Sequence, residues 1–284
     1  MNSQENHGDL SHAGHGAVEP GGLLVSQYGY TLVLHSTILM SGRTKVVFMV
    51  VGPDGGVLTE FVPLHEKWLH FIAIRRDMTG FQHVHPVMDE FGTWAADLVL
   101  VPGDWRFFAD FQPPRREPMT LGIDASVAGT YDPQAVPDAL RIVRAGAYTV
   151  TLFGGLSAGT PSELTFNVTL ETQPVNTLEP YLGSYGHLVA LRSGDLAYLH
   201  VHPQGEPGDG ITKPGPEISF FATAPSAGRY RVHLDFQHEG IVHSAHFTVE
   251  AARAVTGSKP SAAPLTSVGQ VDDHTTDFPP QQPI

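Results

Sequence analysis

The feature that most constrains this 284-residue chain is that it repeats itself. Tyr30-Thr-Leu-Val-Leu34 returns as Tyr148-Thr-Val-Thr-Leu152, and His70-Phe-Ile-Ala-Ile-Arg75 returns as His187-Leu-Val-Ala-Leu-Arg192. His83-Val-His85-Pro86 matches His200-Val-His202-Pro203. Gly103-Asp-Trp-Arg106 with Asp110-Phe-Gln112 matches Gly228-Arg-Tyr-Arg231 with Asp235-Phe-Gln237. The first three pairs are offset by 118, 117 and 117 residues and the last by 125, so copy two carries eight extra residues, which fit the Gly/Pro-rich stretch from Gly205 to Gly215. Four blocks in one order at nearly one offset define a duplicated folding unit. Module one is expected at 22–128 and module two at 145–251, with a linker at 129–144. Residues 1–21 are expected to be a flexible, His-containing start, and 252–284, rich in Pro, Ser and Thr, a disordered tail.

Each copy predicts about seven short strands, in module one Thr31–Leu34, Val46–Val51, Leu69–Arg75, Phe81–His85, Ala95–Val101, Trp105–Phe111 and Leu121–Val127. Turn signals such as Pro-Asp-Gly-Gly and Pro-Gly-Asp separate them, and 30 glycines with 23 prolines supply many more. A module of about 105 residues built this way predicts an all-β chain of two tandem immunoglobulin-like or cupredoxin-like sandwiches, with a cupin-type barrel as the competitor.

Sixteen histidines mark where the chemistry is expected. In each copy thirteen residues separate the first histidine from the His-x-His. Folding midway, at Arg76-Asp77 or Ser193-Gly194, sets His70 opposite His83 and His187 opposite His200. His83 and His85 share a face because strand side chains alternate, and so do His200 and His202. Three imidazoles then converge in each module, the donor count that a nitrogen-ligated metal needs. Site one is expected from His70, His83 and His85 with Asp110 or His65. Site two is expected from His187, His200 and His202 with Asp235 or His238. Along its strand Asp235 shares a face with Arg231, His233 and Gln237, whereas Tyr230, Val232, Leu234 and Phe236 read as core. His243 and His246 crowd the end of module two, and His7, His12 and His15 form a tract suited to weak metal loading. Met78, Met88 and Met119 fall near site one but serve as gap-fillers. One histidine on a strand is ordinarily a packed or solvated residue, and repetition of the set also fits an inherited structural network.

Composition narrows the classes. Without cysteine there are no thiolate metal sites, iron–sulfur clusters or disulfides. A net charge of −13 opposes nucleic-acid binding. No apolar run reaches the roughly 20 residues of a membrane span, and no leader is evident, which permits a cytoplasmic location. Nucleophile-triad, phosphate-loop and dinucleotide fingerprints are missing.

His65-Glu-Lys67, Phe81-Gln-His-Val-His-Pro86, Ala109-Asp-Phe111 and Tyr181-Leu-Gly-Ser-Tyr-Gly-His-Leu-Val-Ala-Leu-Arg192 resemble a group of uncharacterised actinobacterial proteins over residues 22–250. That group consists of tandem β-sandwich modules distantly similar to YtkA/FixH-type domains and described as heavy-metal-binding or secreted. The resemblance implies metal binding and an extracytoplasmic location. The expected function is therefore binding of a divalent or copper ion, with copper, zinc and nickel all suited to imidazole donors, and with no protein partner indicated. Two alternatives accompany it. One is a cupin-like metalloenzyme using His200, His202 and Glu206, since Gly194-(five)-His200-Val-His202-(three)-Glu206 matches the spacing of a first cupin motif. Copy one lacks that pattern, because Asp77 replaces the glycine and Asp89 holds the glutamate spacing. The other is an adhesion or binding module with structural histidines.

Overall fold

Alternating apolar and polar residues, punctuated by turn formers, give this chain strands and turns and no helix among the described residues. The computed structural model describes residues 20–199 and 201–253. Nearly all of the expected flexible start and of the expected tail, and His200, lie outside the described residues.

The strands form four sheets, two per module. In module one the outer sheet runs in the order Ser26–Gln27, Tyr30–Leu34, Gly42–Val51, Trp94–Leu100 and Val87–Met88. Its inner sheet runs Ile38–Leu39, Met119–Val127, Gly103–Phe111, Leu69–Arg75 and Gln82–Val84. Module two repeats both orders. Its outer sheet is Ile142–Ala145, Tyr148–Gly154, Ser162–Leu170, Glu217–Ala222 and Val201–Pro203, with Gln173–Pro174 appended to Ser162–Leu170. Its inner sheet is Leu156–Ser157, Ile241–Ala252, Gly228–His238, His187–Arg192 and Tyr198–Leu199. Pairing is antiparallel except at Ile38–Leu39 and Leu156–Ser157, which join their sheets in parallel. The expected all-β double sandwich is thus the observed architecture.

Each sandwich encloses its own core. Phe48 stacks on Phe71 at 4.4 Å in module one, beside Trp94, Trp105 and Phe107. Phe166, Phe220, Tyr230 and Phe247 fill module two. A third apolar cluster joins the two inner sheets face to face: Ile72, Ile74, Met78 and Phe108 from module one meet Val189, Leu191, Leu196 and Tyr198 from module two. This explains why every residue of Leu69–Arg75 is buried and why that strand reads as a nearly unbroken apolar run. The two modules consequently form one compact unit.

Polar stitches close the seam. Tyr198 donates its backbone N–H to Gly21 O at 2.9 Å, and Gly22 donates to Thr120 O at 2.8 Å. The buried Arg106 guanidinium donates to Gly22 O and Leu23 O. Gly22 has φ +74° and any Cβ there would sit 2.6 Å from the Phe108 ring, so no other residue fits without displacement. On the linker side, Gln134 N–H donates to Asp77, and Thr248 donates its hydroxyl to Pro137 O.

Candidate metal centre

The face-to-face packing decides where the histidines go. On Leu69–Arg75, His70 lies on the same face as Ile72 and Ile74, looking toward module two. On His187–Arg192, His187 shares its face with Val189 and Leu191. The ladders place His70 opposite Asp110 and His187 opposite Asp235, one His–Asp pair per copy. At this end of the seam apolar side chains give way to imidazoles and carboxylates. Histidines expected in two separate sites therefore meet, the rings of His70 and His187 lying 5.2 Å apart and nearly parallel.

The hairpins are displaced from the expected midpoint fold. His83 pairs with Ile72 rather than His70, and in module two Leu191 pairs with Tyr198. The turn falls later because Asp77 organises it, accepting from Arg75, from the Thr79 N–H and from the Thr79 hydroxyl. His70 and His83 become diagonal neighbours on one face, still within reach of long side chains. The imidazoles of module one converge despite the slip.

The trio His70, His83 and His85 offers one nitrogen each, all within 4.8 Å of one another. His70 Nε2 donates to Leu64 O at 2.9 Å, which leaves the lone pair of the neutral ring on Nδ1. His83 Nδ1 donates to Asp235 Oδ2 at 3.1 Å. His83 Nε2 faces His70 Nδ1 at 3.0 Å, and His85 Nε2 stands 3.2 Å from the same His70 nitrogen. A tetrahedral ion with bonds of about 2.0–2.1 Å spaces its nitrogens about 3.3 Å apart, so small outward shifts admit one. Leu64 O and Asp235 act as the outer partners that orient ligand rings.

Burial disfavours the charged form of three of these rings. Burial, reinforced by the neighbouring His83, pushes His70 down to about 3, and burial with His83 and Lys67 pushes His85 down to about 4. His187 is held well below the ordinary imidazole range by the same burial and by His83 and His70. Asp110 is raised to about 6 by burial, opposed by a 2.8 Å hydrogen bond from the Thr120 hydroxyl. Neutral imidazoles are what a metal needs. A cleft of about 350 Å³ bordered by Lys67, Trp68, Pro86, Met88 and Trp94 reaches His85 and provides an approach from solvent.

The other expected residues are placed as follows. His65 adopts φ 47° and points a ring edge toward His70 at 6.0 Å and toward His187 at 5.6 Å. Asp235 belongs by sequence to site two yet serves His83 of module one, and it also accepts the Ser244 hydroxyl at 2.5 Å. His202 is exposed, and His65 is lowered chiefly by burial, with His202 adding to it. His238 is not brought to the cluster: Tyr148 Oη and Thr177 Oγ1 engage its two nitrogens at 2.8 and 3.0 Å inside module two. A ring with both nitrogens bonded has no donor to give. Glu206 lies in an exposed turn.

Sequence reasoning missed a pair. His233 and His246 are directly opposed on adjacent strands, with Nδ1 atoms 2.8 Å apart, and Phe81 from module one stacks on His233 at 3.7 Å. The two-residue Glu239-Gly240 turn, both residues at positive φ, was the available signal, because it sets that register. The service of Asp235 to His83, 152 residues away, left no signal at all.

Among solved structures, the chain is similar to the Escherichia coli adhesin FdeC, at 16% identity over 80% of this chain and 65% of that one, with a TM-score of 0.25. It is similar to the Yersinia pseudotuberculosis adhesin InvE, at 11% identity over 79% and 59%, with a TM-score of 0.23. A Salmonella alpha-2-macroglobulin mutant gives 13% identity over 83% and 15%, with a TM-score of 0.27. The chain spans less than two thirds of each of these proteins. No curated protein matches it. A family model matches residues 25–129 and again 143–253, once per module, and the chain accordingly belongs to the family described as Domain of unknown function (DUF8832).

Proposed function

We propose that this protein binds a copper, zinc or nickel ion through His70, His83 and His85, and that it buffers, stores or transfers that ion. One observation carries the proposal: His70, His83 and His85 each offer a nitrogen within 4.8 Å of the others, and Leu64 O and Asp235 hold the first two rings in place. All-imidazole donors with outer carboxylate support suit these late first-row ions and disfavour magnesium and calcium, which take oxygen ligands. The resemblance to YtkA/FixH-like proteins points the same way. The contrary reading, in which the histidines only hold the fold together, is favoured by His238, whose nitrogens are both spent on Tyr148 and Thr177.

Thermal unfolding with and without each ion separates the two readings. At an ion concentration of 100 times Kd the folded state gains about 2.7 kcal/mol, which raises Tm by several degrees. His85→Ala is expected to remove that gain while leaving the metal-free Tm nearly unchanged, since His85 is only partly buried. Identical melting curves with copper, zinc, nickel and chelator would end the metal proposal.

A further inference from the structure

We infer that the ion is held jointly by both modules, with His187 of module two as its fourth ligand. This rests on the proposed metal function and deepens it: the trio of module one is an incomplete site, and the second copy completes it.

Three observations converge. The first is an unmet polar atom: His187 Nε2 is buried and has no hydrogen-bond partner. Its counterpart in the repeat, His70 Nε2, donates to Leu64 O. A buried imidazole nitrogen left unmade costs about 1–3 kcal/mol, so its retention calls for a partner. The second is ring placement. His187 stacks at 4.8 Å from His83 and 5.2 Å from His70. The distances within the trio are 5.3, 5.0 and 4.8 Å. Imidazoles bound tetrahedrally to one ion, at metal–nitrogen bonds of about 2.0–2.1 Å, have ring centres about 5 Å apart. His187 matches that centre-to-centre spacing toward both neighbours, but it is stacked on them and its nitrogens are not among the donors within 4.8 Å of one another, so its ring must turn to aim a nitrogen at a shared ion. That turn is a side-chain rotation about χ1 and χ2.

The third observation is the fate of the rest of module two's expected set. Asp235 is committed to His83 and Ser244, and His238 to Tyr148 and Thr177. Among the described residues, the module-two histidine left with an unmet nitrogen beside the trio is His187. His65 is the competing fourth donor, but its ring stands farther from His70, at 6.0 Å.

The experiment titrates the full chain with cobalt(II) and zinc(II) and compares wild type with His187→Ala, His187→Cys, His65→Ala and His85→Ala. Circular dichroism on the metal-free proteins identifies the folded variants. His187→Ala is expected to weaken zinc binding at least tenfold and to lower the intensity of the tetrahedral cobalt(II) bands. His187→Cys introduces the sole thiol of the chain. It is expected to add a thiolate-to-cobalt charge-transfer band, which a merely structural position does not produce, and it keeps the test decisive if His187→Ala fails to fold. If wild type binds and His85→Ala does not, while His187→Ala binds normally and His187→Cys shows no thiolate band, the joint site is overturned and the three-histidine reading stands. Loss of the tetrahedral bands in His65→Ala but not in His187→Ala overturns the inference in favour of His65. If wild type binds neither ion, the metal proposal itself falls, and the joint site with it.

Discussion

His70 and His187 hold the same place in the two copies, on equivalent strands and each opposite an aspartate, yet they live differently. In module one the turn that pairs Leu64 with Lys67 offers a carbonyl to His70, and Asp110 is capped by the Thr120 hydroxyl. In module two the corresponding turn pairs Tyr181 with Ser184, His187 Nε2 receives nothing, and Asp235 reaches across the seam to His83. Two residues along the same strands from these aspartates, Phe108 and the paired Gly122 of copy one stand where copy two has His233 and the paired His246. Duplication supplied two identical frameworks. Packing one against the other broke their equivalence, because a single shared space cannot serve both copies in the same way.

Acid is expected to test the comparison with the largest effect. His70 and His85 have folded-state values near 3 and 4, against about 6.5 when unfolded, and His187 and His233 are also lowered by burial. Between those limits the unfolded chain binds more protons, so stability falls as pH drops below about 6.5. Asp110, raised to about 6, acts in the opposite sense, contributing stability in acid that is lost as pH rises through 6. The histidines outnumber it, and metal-free Tm should decline from pH 7 to pH 4. Because the lowered histidines lie on both sides of one seam, the two modules should melt together. Two separate transitions in calorimetry would break the picture of a shared buried cluster.

Next in size is the seam itself. Ile72→Ala removes a fully buried side chain from the inter-module cluster and should cost about 2–5 kcal/mol in urea unfolding. A cost below 1 kcal/mol would mean that the modules do not lean on each other there. The sharpest contrast between the copies comes from the paired aspartates. Asp235→Asn weakens the orientation of His83 and should lower zinc affinity 10- to 100-fold, whereas Asp110→Asn should leave it nearly unchanged. Equal losses from the two substitutions would restore the equivalence that the structure denies. The smallest expected effect is that of Tyr148→Phe, which takes one partner from His238, costs about 1 kcal/mol and leaves ion binding alone. A change in zinc affinity there would bring His238 back toward the site.

Particular residues mark how far the sequence could be read. Leu69–Arg75 was drawn to its residue, and the alternation that put Tyr230, Val232, Leu234 and Phe236 in the core was correct. The same alternation set Arg231, His233 and Asp235 on the other face, but they are buried too, because module one covers them. The strand after Phe81 was drawn too long at its far end, where Pro86 lacks the N–H a ladder needs. The hairpin register slipped because Asp77, a side chain, sets the turn where midpoint reasoning counts only residues.

By itself the sequence determined the duplication and where most strands of each copy fall, since these follow from offset and from the two-residue period of a strand. Only the tertiary structure decided that His187 of one expected site meets the histidines of the other, that Asp235 of one copy serves His83 of the other, and that His238 is spent in the core. The reason is physical: backbone periodicity governs direction within a strand, whereas the meeting of side chains 117 to 152 residues apart depends on which apolar faces pack together.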